Sequence, residues 1–149
     1  MSKFKTRQGV VIDDLRQYVL DWMVDKPEVE LFVGCDSQEY TNTIDYAVSV
    51  CIYEVGKGGH VISKRTTHAL TSNNNMRLWE EVNKSIEVAE ELKDLGKKIT
   101  IHVDYNVNPK FKSNELYEAG IGYARSMGYE AAGKPDAWAA SKVADKAVR

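Results

Sequence analysis

The chain of 149 residues lacks the marks of several large functional classes. It has two cysteines, Cys35 and Cys51, and neither has a CxxC-type partner. Both sit in apolar, β-favouring runs and read as reduced core residues, which predicts a cytoplasmic protein. The three histidines, His60, His68 and His102, show neither HExxH nor i, i+4 spacing, so nothing points to zinc. A GxxxxGK[ST] phosphate loop is missing, and the GKGG run at Gly56 to Gly59 reads as a hairpin loop instead. Ser37 has no evident histidine base, which argues against a serine hydrolase. No apolar run approaches the ~20 residues that span a bilayer. The opening MSKFKTRQG is basic but has no apolar core behind it, so it is not read as a signal peptide, and no membrane role is expected.

What is present is the composition of an ordinary globular protein, 43% hydrophobic and 28% charged. The length suits one domain over residues 1–149 with a single core. A net charge of −2 argues against non-specific coating of nucleic acid, which relies on neutralising phosphates. A local basic patch remains compatible with that total.

The strongest signal is a pair of strands that each run into an aspartate. LFVGCDSQ, from Leu31 to Gln38, predicts a buried strand over Leu31 to Cys35 with Asp36 at its carboxyl end. ITIHV, from Ile99 to Val103, predicts another, with Asp104 following at once. In open α/β sheets the rim at the carboxyl ends of the strands is where ligands bind. Taken singly, either aspartate also suits a turn after a strand.

Around these strands, residues 1–29 read as a polar arm, Met1 to Gly9, followed by a helix. Asp13 is its predicted N-cap, Leu15, Tyr18, Val19 and Trp22 its apolar stripe, and Pro27 its barrier. A hairpin follows, with one strand from Ile44 to Val55 and a more polar return from His60 to Leu70, as expected near a sheet edge. TSNNN leads into a helix with Leu78, Trp79, Val82, Ile86, Ala89 and Leu92 on one face, closed by Gly96. After the Ile99 to Val103 strand, Ser113 caps a helix with the stripe Leu116, Ile121, Ala124 and Met127, closed by Gly128. Tyr129 to Ala132 reads as a last strand, and an alanine-rich helix ends the chain. The βαβ crossings imply parallel strands beside the antiparallel hairpin, hence a mixed sheet with helices on both faces.

This order and its residues resemble the RNase H-like superfamily. There the first strand carries an Asp, a hairpin follows, a helix brings a Glu, the fourth strand ends in a second Asp, and a C-terminal helix brings another acid. GCDSQ, HVDYN and KPDAWAASKVADKAVR stand in the first, third and last of those places. TSNNNM is similar to the TNN-x-M lead-in of bacterial RNase H. The resemblance runs from about Glu30 to Arg149, and the extra helix before it fits the YkuK-type group. It implies a three-layer α/β/α fold with a mixed five-stranded sheet, its first three strands antiparallel and the rest parallel.

One position departs from RNase H, where the catalytic Glu directly follows the Met of that lead-in. Here Arg77 stands there. At roughly 100° per residue, Glu80 falls opposite the apolar stripe, facing water. Glu81 falls on its shoulder, beside Leu78 and Ser85 and one turn after Arg77, from which it can reach a sheet rim. Glu81 is therefore the expected acid, although singly it suits a solvated surface. On the last helix Asp136 shares a face with Ala140, Val143 and Ala147 and is chosen, with Asp145 in reserve; Asp136 alone also suits a helix-dipole role.

By resemblance, Asp36, Glu81, Asp104 and Asp136 are the expected catalytic and metal-binding residues, for Mg²⁺ or Mn²⁺. Asn73, Asn74 and Asn75, with Lys110 and Lys112, are the expected contacts to RNA, DNA or a hybrid. The asparagines equally suit helix capping, and the lysines solvation. The expected activity is phosphodiester hydrolysis by two metal ions. The alternative is the same fold as a nucleic-acid-binding or scaffold module with a weakened site, which the Arg77 departure and a pI of about 5.9 favour. A dimeric junction resolvase is a third reading, and the oligomeric state is open.

Overall fold

The computed structural model describes residues 3–70, 74–103 and 113–133. Its centre is β3 (Val29–Glu39), whose Leu31 and Val33 are wholly buried. β4 (Thr43–Glu54) and β5 (Gly58–Ala69) pair antiparallel beside it, from Val29↔Glu54 to Glu39↔Ile44 and from Thr43↔Ala69 to Glu54↔Gly58. On the other side β6 (Ile99–Val103) and β7 (Glu130–Gly133) pair parallel. This mixture of an antiparallel hairpin and parallel crossings is the one the sequence implies.

The sheet has seven strands rather than the expected five. The polar arm and the residues just after it supply β1 (Phe4–Thr6) and β2 (Val11–Ile12), giving the order β2-β1-β5-β4-β3-β6-β7. Lys5↔Ser63 and Thr6↔Ile62 clasp β1 to β5, so over those two rungs β5 is not the edge. The arm is too short to show a period. Its strands form because Phe4 and Ile12 bury their side chains in the core, at roughly 1.5–3 kcal/mol each.

β3 also runs beyond its expected end at Cys35, through Asp36 to Glu39. Antiparallel pairing with β4 continues to Glu39↔Ile44, and the last described rung with β6 is Gly34↔His102. Asp36 therefore does not end a strand; it stays paired, opposite Ala47 of β4.

α1 (Leu15–Met23) starts one residue later than expected. Asp14 is the cap, accepting from the Gln17 N–H at 3.0 Å, while Asp13 pairs with Lys3 at 2.7 Å. α2 (Asn74–Leu92) presents Val82, Ile86, Ala89 and Leu92 to the sheet. It passes through a 3-10 turn, Lys93–Leu95, into Gly96, whose φ of 78° is the left-handed conformation a glycine cap supplies. α3 (Ser113–Ser126) buries Ile121 and Ala124, but Met127 lies past the helix end and is exposed.

Among the described residues all three helices pack on one face of the sheet. Directly paired residues share a face, so Leu31, Ile52 and His60 lie together, as do Ser37, Tyr46 and Thr66. α1 reaches this face through Tyr18 and His60, α2 through Glu81 and Ser37, and α3 through Tyr123 stacked on Trp79 of α2. The opposite face carries Phe32, Asp36, Tyr53 and His102. The helix expected over residues 134–149, which would form the third layer, lies outside the described residues.

Candidate functional site

Alternation along β3 sends successive side chains to opposite faces. Asp36 belongs to the face of Phe32 and His102, while Ser37 and Glu39 belong to the helix face. Asp36 is half-buried, and its Oδ1 accepts the Ser37 N–H at 2.9 Å, which draws the carboxylate towards the backbone between the faces. Asp36 stands two residues beyond the Gly34↔His102 rung, and Asp104 follows His102 by the same two residues.

Across the helix face, Glu81 is 6% exposed, an unusual depth for a carboxylate. Ser37 Oγ–H donates to its Oε2 at 2.6 Å. Arg77, one turn earlier on α2, donates from Nε to the same Ser37 Oγ at 2.7 Å and from Nη2 to the Ser37 carbonyl at 3.1 Å. Its Nη1 donates to Glu39 Oε1 at 2.9 Å. The result is a directed chain from guanidinium to hydroxyl to carboxylate. A buried charge persists only when paired and hydrogen-bonded in this way. Ser85, also buried, closes the other side by donating to the Glu81 carbonyl at 3.1 Å.

The electrostatics around Glu81 follow from burial and negative charge. Burial, then the Glu81 charge, pushes the Cys35 thiol well above its ordinary range, so Cys35 is no nucleophile. Burial, then Glu80 and Glu81, raises the Tyr46 hydroxyl to about 12. On the other face burial lowers His102 to about 4, leaving a neutral ring whose centroid is 5.2 Å from that of Phe32.

Of the expected site residues, the structure thus describes Asp36 and Glu81, which belong to opposite faces of β3 and are each hydrogen-bonded to Ser37. Asn74 and Asn75 begin α2. Asn73, Asp104, Lys110, Lys112, Asp136 and Asp145 lie outside the described residues. Among the described residues there is no group of three or more His, Cys, Asp or Glu side chains that could hold a metal ion. Glu80 is 44% exposed, as the helical spacing predicts, and pairs with Lys84 at 3.8 Å. The sequence reading missed Ser37 and Glu39 as partners of Arg77. Period-two alternation from Leu31, Val33 and Cys35 was the signal that could have placed both against α2.

A sequence model of the family described as "Ribonuclease H-like" matches residues 11–149. The chain belongs to the ribonuclease H-like family. No curated protein matches the chain. Among solved structures, RNase H1 from the halophilic archaeon Halobacterium salinarum NRC-1 is similar at 20% identity, covering 81% of this chain and 97% of its own, with a TM-score of 0.42. The N-terminal RNase H domain of rv2228c from Mycobacterium tuberculosis, as a fusion protein with maltose-binding protein, shares 13% identity over 80% of this chain and 94% of its own, with a TM-score of 0.38. The ribonuclease H-like assignment rests on the family match. In this ribonuclease H-like chain Arg77 reaches Glu81 through Ser37.

Proposed function

We propose that this ribonuclease H-like chain is a single-domain, divalent-metal-dependent nuclease of the YkuK-type group, acting on RNA, DNA or an RNA/DNA hybrid. The observation that carries the reading is the register of the central strands. Asp36 and Asp104 follow the last described rung, Gly34↔His102, at the same two-residue offset in sequence, towards the carboxyl ends of the strands, where α/β sheets bind ligands. Asp36 and Glu81 offer hard carboxylate oxygens, a donor chemistry that fits Mg²⁺ or Mn²⁺. With Asp104 and Asp136, or Asp145 in its place, they would hold the ions. The chemistry such ions supply when bound is activation of water and stabilisation of charge on the attacking and leaving oxygens. Products would carry 5′-phosphate and 3′-hydroxyl ends.

The chain's own contribution begins with orientation. Ser37 fixes one oxygen of Glu81, and Arg77 fixes Ser37, so the carboxylate keeps one direction without rearrangement. Asn73, Asn74 and Asn75 would lie along the sugar edge of the substrate, with Lys110 and Lys112 on its phosphates. The free, buried cysteines suit a reducing compartment, and cytoplasmic location is part of this reading. No described helix is long and apolar enough to cross a membrane.

Melting with and without millimolar Mn²⁺ tests the metal site. The expected rise is about 3 °C or more, cancelled by Asp36→Asn, and an unchanged wild-type curve sinks the proposal. Labelled hybrid, duplex and single strands then report cutting. One observation favours a second reading, a nucleic-acid-binding module with a weakened site: a guanidinium already serves the Glu81 network. Binding of the same strands without cleavage in Mn²⁺ would select it.

A further inference from the structure

Beside the Glu81 network lies a cavity of about 180 Å³, lined by Ile44, Tyr46, His68, Ala69, Met76 and Glu80. It is one step from the candidate site in two directions. Tyr46 is the rung partner of Ser37, and Met76 and Glu80 precede Arg77 and Glu81 on α2. Ile44 and Tyr46 are buried and make the floor. His68 meets the Tyr46 ring edge-on at 5.7 Å, and Met76, 59% exposed, stands at the mouth.

We infer that this cavity takes one unstacked cytosine base from a single-stranded stretch of nucleic acid. The inference rests on the nucleic-acid reading above and deepens it by naming the substrate class. Size points to one ring: an engineered apolar cavity of about 150 Å³ holds benzene, so the present volume suits a pyrimidine and is tight for a fused purine. Polarity then chooses between pyrimidines. The Glu80 carboxylate only accepts, and the Lys84 ammonium at 3.8 Å holds it beside the cavity. Cytosine presents an exocyclic amine whose hydrogens lie clear of any carbonyl, whereas the one ring N–H that thymine and uracil offer, at N3, lies between two carbonyls that a carboxylate repels. The aromatic and thioether groups supply sequence-tolerant contact to the ring. A base can enter only when out of its stack, hence the single strand.

The test reads binding with metal chelated by EDTA, so that cleavage plays no part. Fluorescence anisotropy of labelled oligo-dC, oligo-dT and oligo-dA should give oligo-dC about tenfold tighter binding than the other two. Glu80→Gln, at a half-exposed position, should keep the melting temperature and erase the preference. Met76→Ala should weaken every oligonucleotide about threefold or more while leaving the order unchanged. Equal affinity for the three strands, a best fit to oligo-dT or oligo-dA, or a preference that survives Glu80→Gln would overturn the assignment. Failure of the nuclease reading shows instead as absent cutting with the oligo-dC preference intact.

Discussion

α1 and α2 lie on the same face of one sheet, yet they are fastened by different physics. α2 is held by a buried ionic chain, Arg77 to Ser37 to Glu81, with Glu39 as a second anchor for the guanidinium. Against the sheet α1 is held by neutral aromatic contact, while its exposed Arg16 pairs with Asp94 of the 3-10 turn. The Trp22 ring lies parallel to His60 at 5.5 Å, and the Tyr18 hydroxyl is hydrogen-bonded to His60 Nε2 at 2.6 Å. Lys26 caps the Trp22 ring from 4.6 Å. Each tie to the sheet ends on a strand side chain of the shared face. The ionic one sits beside the candidate site, where a fixed charge has chemical use. The neutral one sits two strands away on β5, where only adhesion is required. A polar group in a helix–sheet interface is thus tolerated on two terms: complete pairing, or a ring that stays uncharged.

The largest test of this contrast is Arg77→Met. It removes the guanidinium that holds Ser37 and, through it, buried Glu81, and should cost about 2–3 kcal/mol in urea unfolding. Arg77→Lys should recover little, because a point charge cannot serve Ser37 Oγ, the Ser37 carbonyl and Glu39 together. A loss near zero for Arg77→Met would make the two fastenings alike. Next comes Tyr18→Phe, which removes the bond to His60 at a half-buried site and should cost about 1 kcal/mol. The smallest effect is on pH dependence. Burial lowers the His60 pKa, so the unfolded chain takes up its proton first as pH falls. The stability His60 contributes is therefore complete above the unfolded value near 6.5. It declines as pH drops from there towards the lower folded value. His60→Gln should flatten that part of the stability curve, and an unchanged slope would show that the ring is not shielded.

Much of this arrangement is legible in the residues. Alternation in β4 and β5, the α2 stripe ending at Gly96, and the parallel pairing of the ITIHV strand all follow from local pattern. Two features do not. β1 and β2 have no period of their own, because β1 exists through pairing with a strand more than fifty residues away and β2 through pairing with β1. The run of β3 past Asp36 depends on continued pairing with β4, which no window around Asp36 reveals. At the site, helical geometry was enough to prefer Glu81 over Glu80. Spacing alone could not show that Arg77, a departure from RNase H, is the far end of the chain that holds Glu81.

The clasp of β1 on β5 carries a consequence for any shortened version of this polypeptide. Removing the first dozen residues would uncover backbone amides and carbonyls on β5 near Ile62 and Ser63, and would unroof the apolar seam that Phe4 and Ile12 close. Bare strand margins of this kind recruit copies of themselves. A trimmed chain should therefore self-associate at concentrations where the intact one stays dispersed.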